Sequence, residues 1–313
     1  MTESNPDHLT VGLVGLGSMG RGIGRNLVMN GYPLAVIDTD PDRVAEQVNL
    51  GASEAGSLAE LAASSNVVIT CLPDPATTRK VYLDGDGLVA ASRDGTVLVD
   101  CSTSDPLLTR EIGARAAARG VQMIDAPMLR KPADAWEGTL LLVVGGEEAD
   151  IEFVRPLLAT FSEEIIPVGG LGNGHAVKVV NNGVGLGTQA LICEAFNVAR
   201  SLGVDPATLY RVMQGSNAAS RKLDEMVPRI IEDDHSMSFS IDLCLKDTNL
   251  FTELANGVQA PSIIGDAVRN TYLLASLQQY GPRNQSELTV FLRDLTRETG
   301  TEPPMPDTKP SNQ

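Results

Sequence analysis

Gly15-Leu16-Gly17-Ser18-Met19-Gly20 is the stretch whose reading decides the fold. An apolar run from Leu9 to Leu16 leads into it, and the helical pattern Gly24 to Val28 follows it, so the order is strand, turn, helix. A glycine triplet alone is a weak signal, and this context strengthens it. Gly15 permits a tight turn, Gly17 lets a pyrophosphate approach the backbone, and Gly20 allows close packing of helix on strand. The helix N-terminus then faces the anion. A second buried run, Pro33 to Ile37, ends at Asp38, where a carboxylate accepts hydrogen bonds from an adenosine ribose. The same carboxylate repels a 2′-phosphate, which favours NAD over NADP.

Working outward, further apolar runs occur at Val67 to Leu72, Thr96 to Val99 and Val121 to Ile124, separated by helical stretches rich in Ala, Glu and Arg. The alternation predicts an α/β fold, an N-terminal Rossmann-type, doubly wound parallel sheet. Gly138 to Gly146 and Glu164 to Val168 read as two more strands. After Gly174 no strand-like run flanked by turn residues appears. One helical pattern runs from His175 to about Ser201, about 40 Å at 1.5 Å per residue, long enough to link two domains, and Gly203 fits a C-cap. Three to five helices are expected after it. The predicted division is a flexible N-terminus at 1–9, an NAD-binding domain at 10–172, an all-α substrate and oligomerisation domain at 173–298 and a disordered tail at 299–313.

A chain of 313 residues suits about two domains with cores of their own. Lys and Arg total 24 against 40 Asp and Glu, a formal charge of -16, which disfavours a nucleic-acid or anionic-membrane partner. Cys71, Cys101, Cys193 and Cys244 are widely spaced, and His8, His175 and His235 form no ligand set, so reduced thiols and no metal site are expected. The first residues have neither a basic start nor an apolar core, and no apolar run reaches the roughly 18 residues of a membrane span. Together these features predict a soluble, acidic, cytoplasmic protein.

Five blocks then occur in order: Gly15 to Gly20, Asp100-Cys-Ser-Thr-Ser-Asp-Pro106, Asp125-Ala-Pro127 leading to Gly138-Thr-Leu140, Gly172 to Asn182, and Lys246-Asp247. With them the chain resembles the β-hydroxyacid dehydrogenase family, the relatives of 3-hydroxyisobutyrate dehydrogenase, over residues 10 to 297. The resemblance implies hydride transfer between a nicotinamide cofactor and a short alcohol or aldehyde in a homodimer or homotetramer. Lys178 and Asn182, i and i+4 on the long helix, share one face. By the resemblance, Lys178 is the general acid or base and Asn182 helps place it. For Lys178 to act as a base near neutral pH, burial and nearby cations must lower its pKa. Ser18, Met19, Leu72, Pro73, Thr103 and Lys246 match cofactor-contact positions, and Ser102 and Asn181 match substrate-side positions.

One block departs from the family. Most relatives follow Asp-Ala-Pro with Val-Ser-Gly-Gly, which grips a carboxylate; here Met128-Leu129-Arg130-Lys131-Pro132 stands instead. The sulfolactaldehyde reductase branch also carries an arginine at the position of Arg130, although its neighbours there are glycine, threonine and serine. Arg130 offers a planar fork of donors to an oxyanion, so Arg130 with Lys131 is expected to clamp a sulfonate. The expected reaction is NADH-dependent reduction of 3-sulfolactaldehyde to 2,3-dihydroxypropane-1-sulfonate. The alternatives are a carboxylate substrate of the 3-hydroxyisobutyrate or tartronate semialdehyde type and a non-catalytic NAD sensor. Gly183, Gly185 and Gly187 lie within the helix at a cost of up to about 1 kcal/mol each, either for close approach of substrate or for helix packing. Trp136, the only tryptophan, reads as a core anchor rather than a substrate contact, and no role is assigned to it.

Overall fold

The computed structural model describes residues 9–298. The expected flexible N-terminus, apart from Leu9, and the expected disordered tail lie outside the described residues. The chain divides into two compact units between Asn181 and Asn182. That division falls inside the long helix, not at its start.

The first unit begins with β1 (Val11–Val14), α1 (Gly20–Met29), β2 (Leu34–Ile37), α2 (Pro41–Leu50), β3 (Ser53–Glu54), α3 (Leu58–Ser64) and β4 (Val67–Thr70). It continues through α4 (Pro75–Leu83), α5 (Leu88–Ala91), β5 (Val97–Asp100), α6 (Pro106–Ala117) and β6 (Gln122–Asp125). These six strands form a wholly parallel sheet in the order β3-β2-β1-β4-β5-β6. Every residue of β1, β4 and β5 is buried, the pattern of strands covered by helices on both faces. One core, with Leu13, Ile23, Ile69 and Val99, and another, with Leu61, Val68, Leu98 and Ile112, follow from the alternation of side chains along those strands.

Helix starts are written in short polar signals. Asp40, Asp74 and Asp105 each precede a proline and accept a hydrogen bond from a backbone N–H of the first turn of α2, α4 and α6. Helix α1 is different: it has neither a side-chain cap nor an acidic residue in its first turn, and its Arg21 and Gly22 N–H groups turn back to the Gly17 and Met19 carbonyls.

The segments expected to extend the parallel sheet build a second one instead. After β7 (Met128–Leu129) and α7 (Pro132–Glu137) come β8 (Leu140–Val144), α8 (Glu148–Leu158) and β9 (Ser162–Pro167). Their order is β7-β8-β9, with β7 antiparallel and β9 parallel to β8. β7 lies only two residues beyond β6, too short a link for a parallel crossover, so it cannot continue the first sheet in parallel and pairs with β8 instead. Trp136 is not in a core: it is 41% exposed, with the Arg25 guanidinium 5.0 Å from its ring centroid.

Helix α9 (Asn173–Ser201) is 29 residues long and starts two residues earlier than expected. The second unit continues with α10 (Pro206–Gln214), α11 (Arg221–Glu232), α12 (Ile241–Gly257), α13 (Ile263–Ala275) and α14 (Leu288–Glu298). Gly203 has φ +74°, in keeping with its reading as a helix stop. Among the described residues no strand follows α9, and Leu186, Phe196, Leu223, Met226, Tyr272 and Phe291 belong to a separate helical core.

Candidate active site

The glycine loop has the shape a dinucleotide needs. Gly15 has φ +94°, and a Cβ there would run into the carbonyl oxygen of Cys71. A Cβ on Gly20 would strike the carbonyl of Gly15. A Cβ on Gly17 would meet nothing within 4 Å, so this is the one of the three glycines whose open side faces room for a ligand. With the uncapped start of α1 beside it, the loop fits a pyrophosphate.

Asp38 is drawn to the same loop. Its Oδ2 accepts from Leu16 N at 2.5 Å and its Oδ1 from Asp40 N at 2.8 Å. Each oxygen keeps a second lone pair for a ribose hydroxyl. Arg43 stands 4.0 Å from Asp38 while its Nε pairs with Asp40 at 3.0 Å.

The ends of β4 and β5 are tied together behind the loop. Ser102 Oγ accepts from Leu72 N at 2.9 Å, and Ser102 N donates to Asp100 Oδ1 at 2.9 Å. At 2% exposure, Ser102 serves the backbone here, where a substrate contact was expected. Pro73 and Ser18 are exposed, and Leu72, Met19 and Thr103 are half-buried along these strand ends and the loop.

The loop between β7 and α7 carries a strained residue. Arg130 has φ +81°, one of four non-glycine residues with positive φ among those described. Its Nη1 donates to the Thr139 carbonyl and to Glu163 Oε2, each at 2.5 Å. Glu163, foremost by its hydrogen bond, keeps the guanidinium pKa above its ordinary value, with Asp134 and Glu164 adding to the effect. Lys131 is exposed, and its backbone N–H donates to Asp134 at the start of α7.

Lys178, half-buried, stands in the second turn of α9, and Asn182 follows one turn later. In the second unit Asn182 Nδ2 donates to Asp247 Oδ2 at 2.8 Å, and Lys246 Nζ pairs with Asp247 Oδ1 at 3.0 Å. Asp247 is 3% exposed and fixes which end of the Asn182 amide is turned away, its carbonyl oxygen. Gly183 is explained by packing: a Cβ there would meet the Phe251 ring at 2.6 Å. Gly185 has open space beside it, Gly187 only an ordinary contact with Val268, and Asn181 is exposed.

Three residues without an assigned role also belong to this region. Asp125, His175 and Thr109 are all buried and hydrogen-bonded around the start of α9. Asp125 and His175 stand inside the quoted blocks, but no spacing rule connects residues so far apart. Among the described residues, no group of three or more His, Cys, Asp or Glu could hold a metal.

Residues 10–170 match the NAD binding domain of 6-phosphogluconate dehydrogenase, and residues 172–292 match the NAD-binding domain of NADP-dependent 3-hydroxyisobutyrate dehydrogenase. The chain belongs to the β-hydroxyacid dehydrogenase family. It is 32% identical over 284 residues to the 3-sulfolactaldehyde reductase of Escherichia coli K12, covering 90% of this chain and 95% of that one. Mitochondrial 3-hydroxyisobutyrate dehydrogenase of Homo sapiens is 28% identical over 291 residues, 91% of this chain and 87% of the relative. A solved structure of Mycobacterium tuberculosis 3-hydroxyisobutyrate dehydrogenase with L-serine superposes with a TM-score of 0.84 at 30% identity, covering 91% of this chain and 99% of that one. The protein is thus an NAD-dependent oxidoreductase of this family, with a Rossmann-type nucleotide domain and a helical C-terminal region. No helix among the described residues is long and apolar enough to cross a membrane.

Proposed function

We propose that this β-hydroxyacid dehydrogenase reduces a short anionic aldehyde with NADH, and that 3-sulfolactaldehyde, giving 2,3-dihydroxypropane-1-sulfonate, is its substrate. The observation that carries the substrate is Arg130 at φ +81°. The family motif has a glycine at this position, and a left-handed backbone costs a non-glycine residue about 1–2 kcal/mol. The turn is kept and the strain accepted in order to place a guanidinium there. Among the described residues, the bonds of Arg130 use Nη1 alone, which leaves Nε and Nη2 for two oxygens of a sulfonate. A sulfonate is a permanent monoanion, suited to a fixed cation, and Lys131 adds a second positive charge on the loop.

Bound nicotinamide supplies the hydride for the aldehyde carbon. Lys178 stabilises the developing alkoxide and donates the proton to its oxygen, and the Asn182 amide, held by Asp247, orients the reacting oxygen. Asn181 and Gly185 complete the substrate side of α9 in this proposal. Gly15, Gly17, Gly20 and the start of α1 take the pyrophosphate, and Asp38 takes the adenosine ribose and sets the preference for NADH. Ser18, Met19, Leu72, Pro73, Thr103 and Lys246 line the cofactor. Ser102 is left out of the substrate contacts because it is buried and accepts from Leu72.

The second reading is a carboxylate semialdehyde of the 3-hydroxyisobutyrate or tartronate type, favoured by Glu163, which already offsets the charge of Arg130. Steady-state rates with sulfonated and carboxylated aldehydes, each with NADH and NADPH, separate the two. Turnover of carboxylates only overturns the sulfonate, and a preference for NADPH overturns the role of Asp38. We also infer a cytoplasmic homodimer or homotetramer. Val184, Leu191 and Val198 on α9, with Leu202 just beyond its end, are exposed apolar side chains, 58–76% accessible, suited to a second copy of the chain.

A further inference from the structure

The blocks Asp125 to Pro127 and Gly172 to Asn182 are joined physically by one carboxylate. Asp125, at the end of β6 and 0% exposed, accepts from Gly172 N through Oδ1 at 2.7 Å and from His175 N through Oδ2 at 2.6 Å. Both N–H groups belong to the start of α9, so the helix is capped from another element. An amide could not replace the carboxylate, since only one of its two terminal atoms accepts. The neighbourhood leaves no slack: a Cβ on Gly174 would meet the Val143 carbonyl at 2.7 Å and Asp125 Oδ2 at 2.8 Å.

The His175 ring, also 0% exposed, carries the tie further. Its Nε2 lies 3.2 Å from the Ser102 carbonyl, which only accepts, so Nε2 bears a hydrogen. Its Nδ1 lies 2.7 Å from Thr109 Oγ1 on α6. The charged groups facing the ring are Asp100, at 3.9 Å from Nε2, and Asp125, at 3.7 Å from Nδ1. The imidazole therefore spans from the helix start to the strand end whose Ser102 hydroxyl holds Leu72. Lys178 follows His175 by one helical turn, on the same rigid segment.

We propose that Asp125 and His175 are positioning residues for Lys178: the carboxylate locks the first turn of α9, and the imidazole sets the distance of that turn from the Ser102 strand end. The inference rests on the assignment of Lys178 as proton donor. Burial pushes the Asp125 carboxyl upward, opposed by His175 and the two N–H groups, and its ionised form is the one that accepts from both.

The test uses the full-length enzyme with NADH, the aldehyde it turns over, and the variants Asp125→Asn, His175→Ala, His175→Gln and Lys178→Ala. A displacement of about 1 Å at a catalytic group costs about 100-fold in rate, so Asp125→Asn is expected to lower kcat about 100-fold while KM for aldehyde and the NADH dissociation constant stay within about two-fold. His175→Ala loses kcat in the same way. His175→Gln, whose amide donates to Ser102 and accepts from Thr109 once that hydroxyl turns from the Asp105 carbonyl it donates to at 3.0 Å, restores it to within about three-fold of wild type. Wild-type kcat in Asp125→Asn and His175→Ala alongside an inactive Lys178→Ala overturns the positioning role. A fall of kcat and NADH binding in parallel, without rescue by glutamine, also overturns it, showing a structural role only. An active Lys178→Ala instead overturns the assignment of the lysine.

Discussion

Two polar ties on the first unit contrast in how they are built. Asp125 and His175, both 0% exposed, are held by backbone N–H groups, a carbonyl and a hydroxyl. Arg130 and Glu163, with side chains 29% and 62% exposed, join the loop after β7 to β9. Water competes for the second pair and not for the first. A hydrogen bond to a buried charge contributes about 1.5–3 kcal/mol, whereas an exposed ion pair contributes about 0–1 kcal/mol. In the proposed reading the proton-donating lysine sits on the helix held by the buried tie, and substrate choice sits on the exposed one, where a side chain changes without unsettling the core.

The largest expected effect lies on the helix that the buried tie holds. Lys178→Ala should lower kcat by about 10²–10⁴-fold with NADH binding retained, measured by NADH oxidation and fluorescence titration. A rate near wild type would separate the buried tie from the chemistry.

The exposed loop should answer in KM. Arg130→Ala is expected to raise KM for a sulfonated aldehyde about 10- to 100-fold with little change in kcat. Arg130→Gly should show the same loss of affinity while gaining about 1 kcal/mol of stability, because glycine takes the left-handed turn without strain. An unchanged KM in both variants removes the sulfonate clamp.

The loop is anchored at its far end by α7, packed on α1 so closely that a Cβ on Gly22 would lie 2.5 Å from the Ala135 carbonyl carbon. Gly22→Ala is therefore expected to cost about 1–3 kcal/mol by denaturant unfolding. A neutral result would mean that α7 shifts freely and the loop is less fixed than its dihedral implies.

Alkaline pH probes the buried side of the contrast. Burial is the main cause that pushes the Cys193 thiol up to about 11 and lifts Cys101 and Cys244 well above the ordinary 9.0. Well below pH 9 such groups are neutral in folded and unfolded chains alike. Above it the unfolded thiols ionise first, so stability falls as pH rises from about 9 toward 11. Thermal melts across that window should show the decline, and a flat melting temperature would contradict it. Thiol labelling at pH 8 should reach half-buried Cys71 before the three buried cysteines. The smallest effect is expected from Glu163→Gln, less than about 1 kcal/mol of stability, with KM for the anionic aldehyde lowered once its competitor for Arg130 is gone.

What could be read locally came through closely. The order of β1, the glycine loop and α1, the run ending at Asp38 and the stop at Gly203 each depend on neighbours in the chain and on a dihedral that glycine supplies. Direction was harder: Gly138 to Gly146 reads as a strand in any sheet, and only its pairing with β7 and β9 made it the centre of a second, mixed sheet. Trp136 shows the same limit, since its place in a core or under Arg25 depends on what packs against α7. Gly183 met Phe251 of α12, with α10 and α11 between the two helices in the chain.

By itself the sequence determined the nucleotide-binding turn, the helical second unit and the placing of Lys178 and Asn182 one turn apart on α9, because spacing along a strand or helix dictates which side chains share a face. Tertiary structure alone decided that Asp125 would cap a helix 47 and 50 residues away and that Ser102 would be spent on Leu72. A buried polar atom takes whichever partner packing brings within reach, and the cost of leaving it without one makes that partner part of the fold.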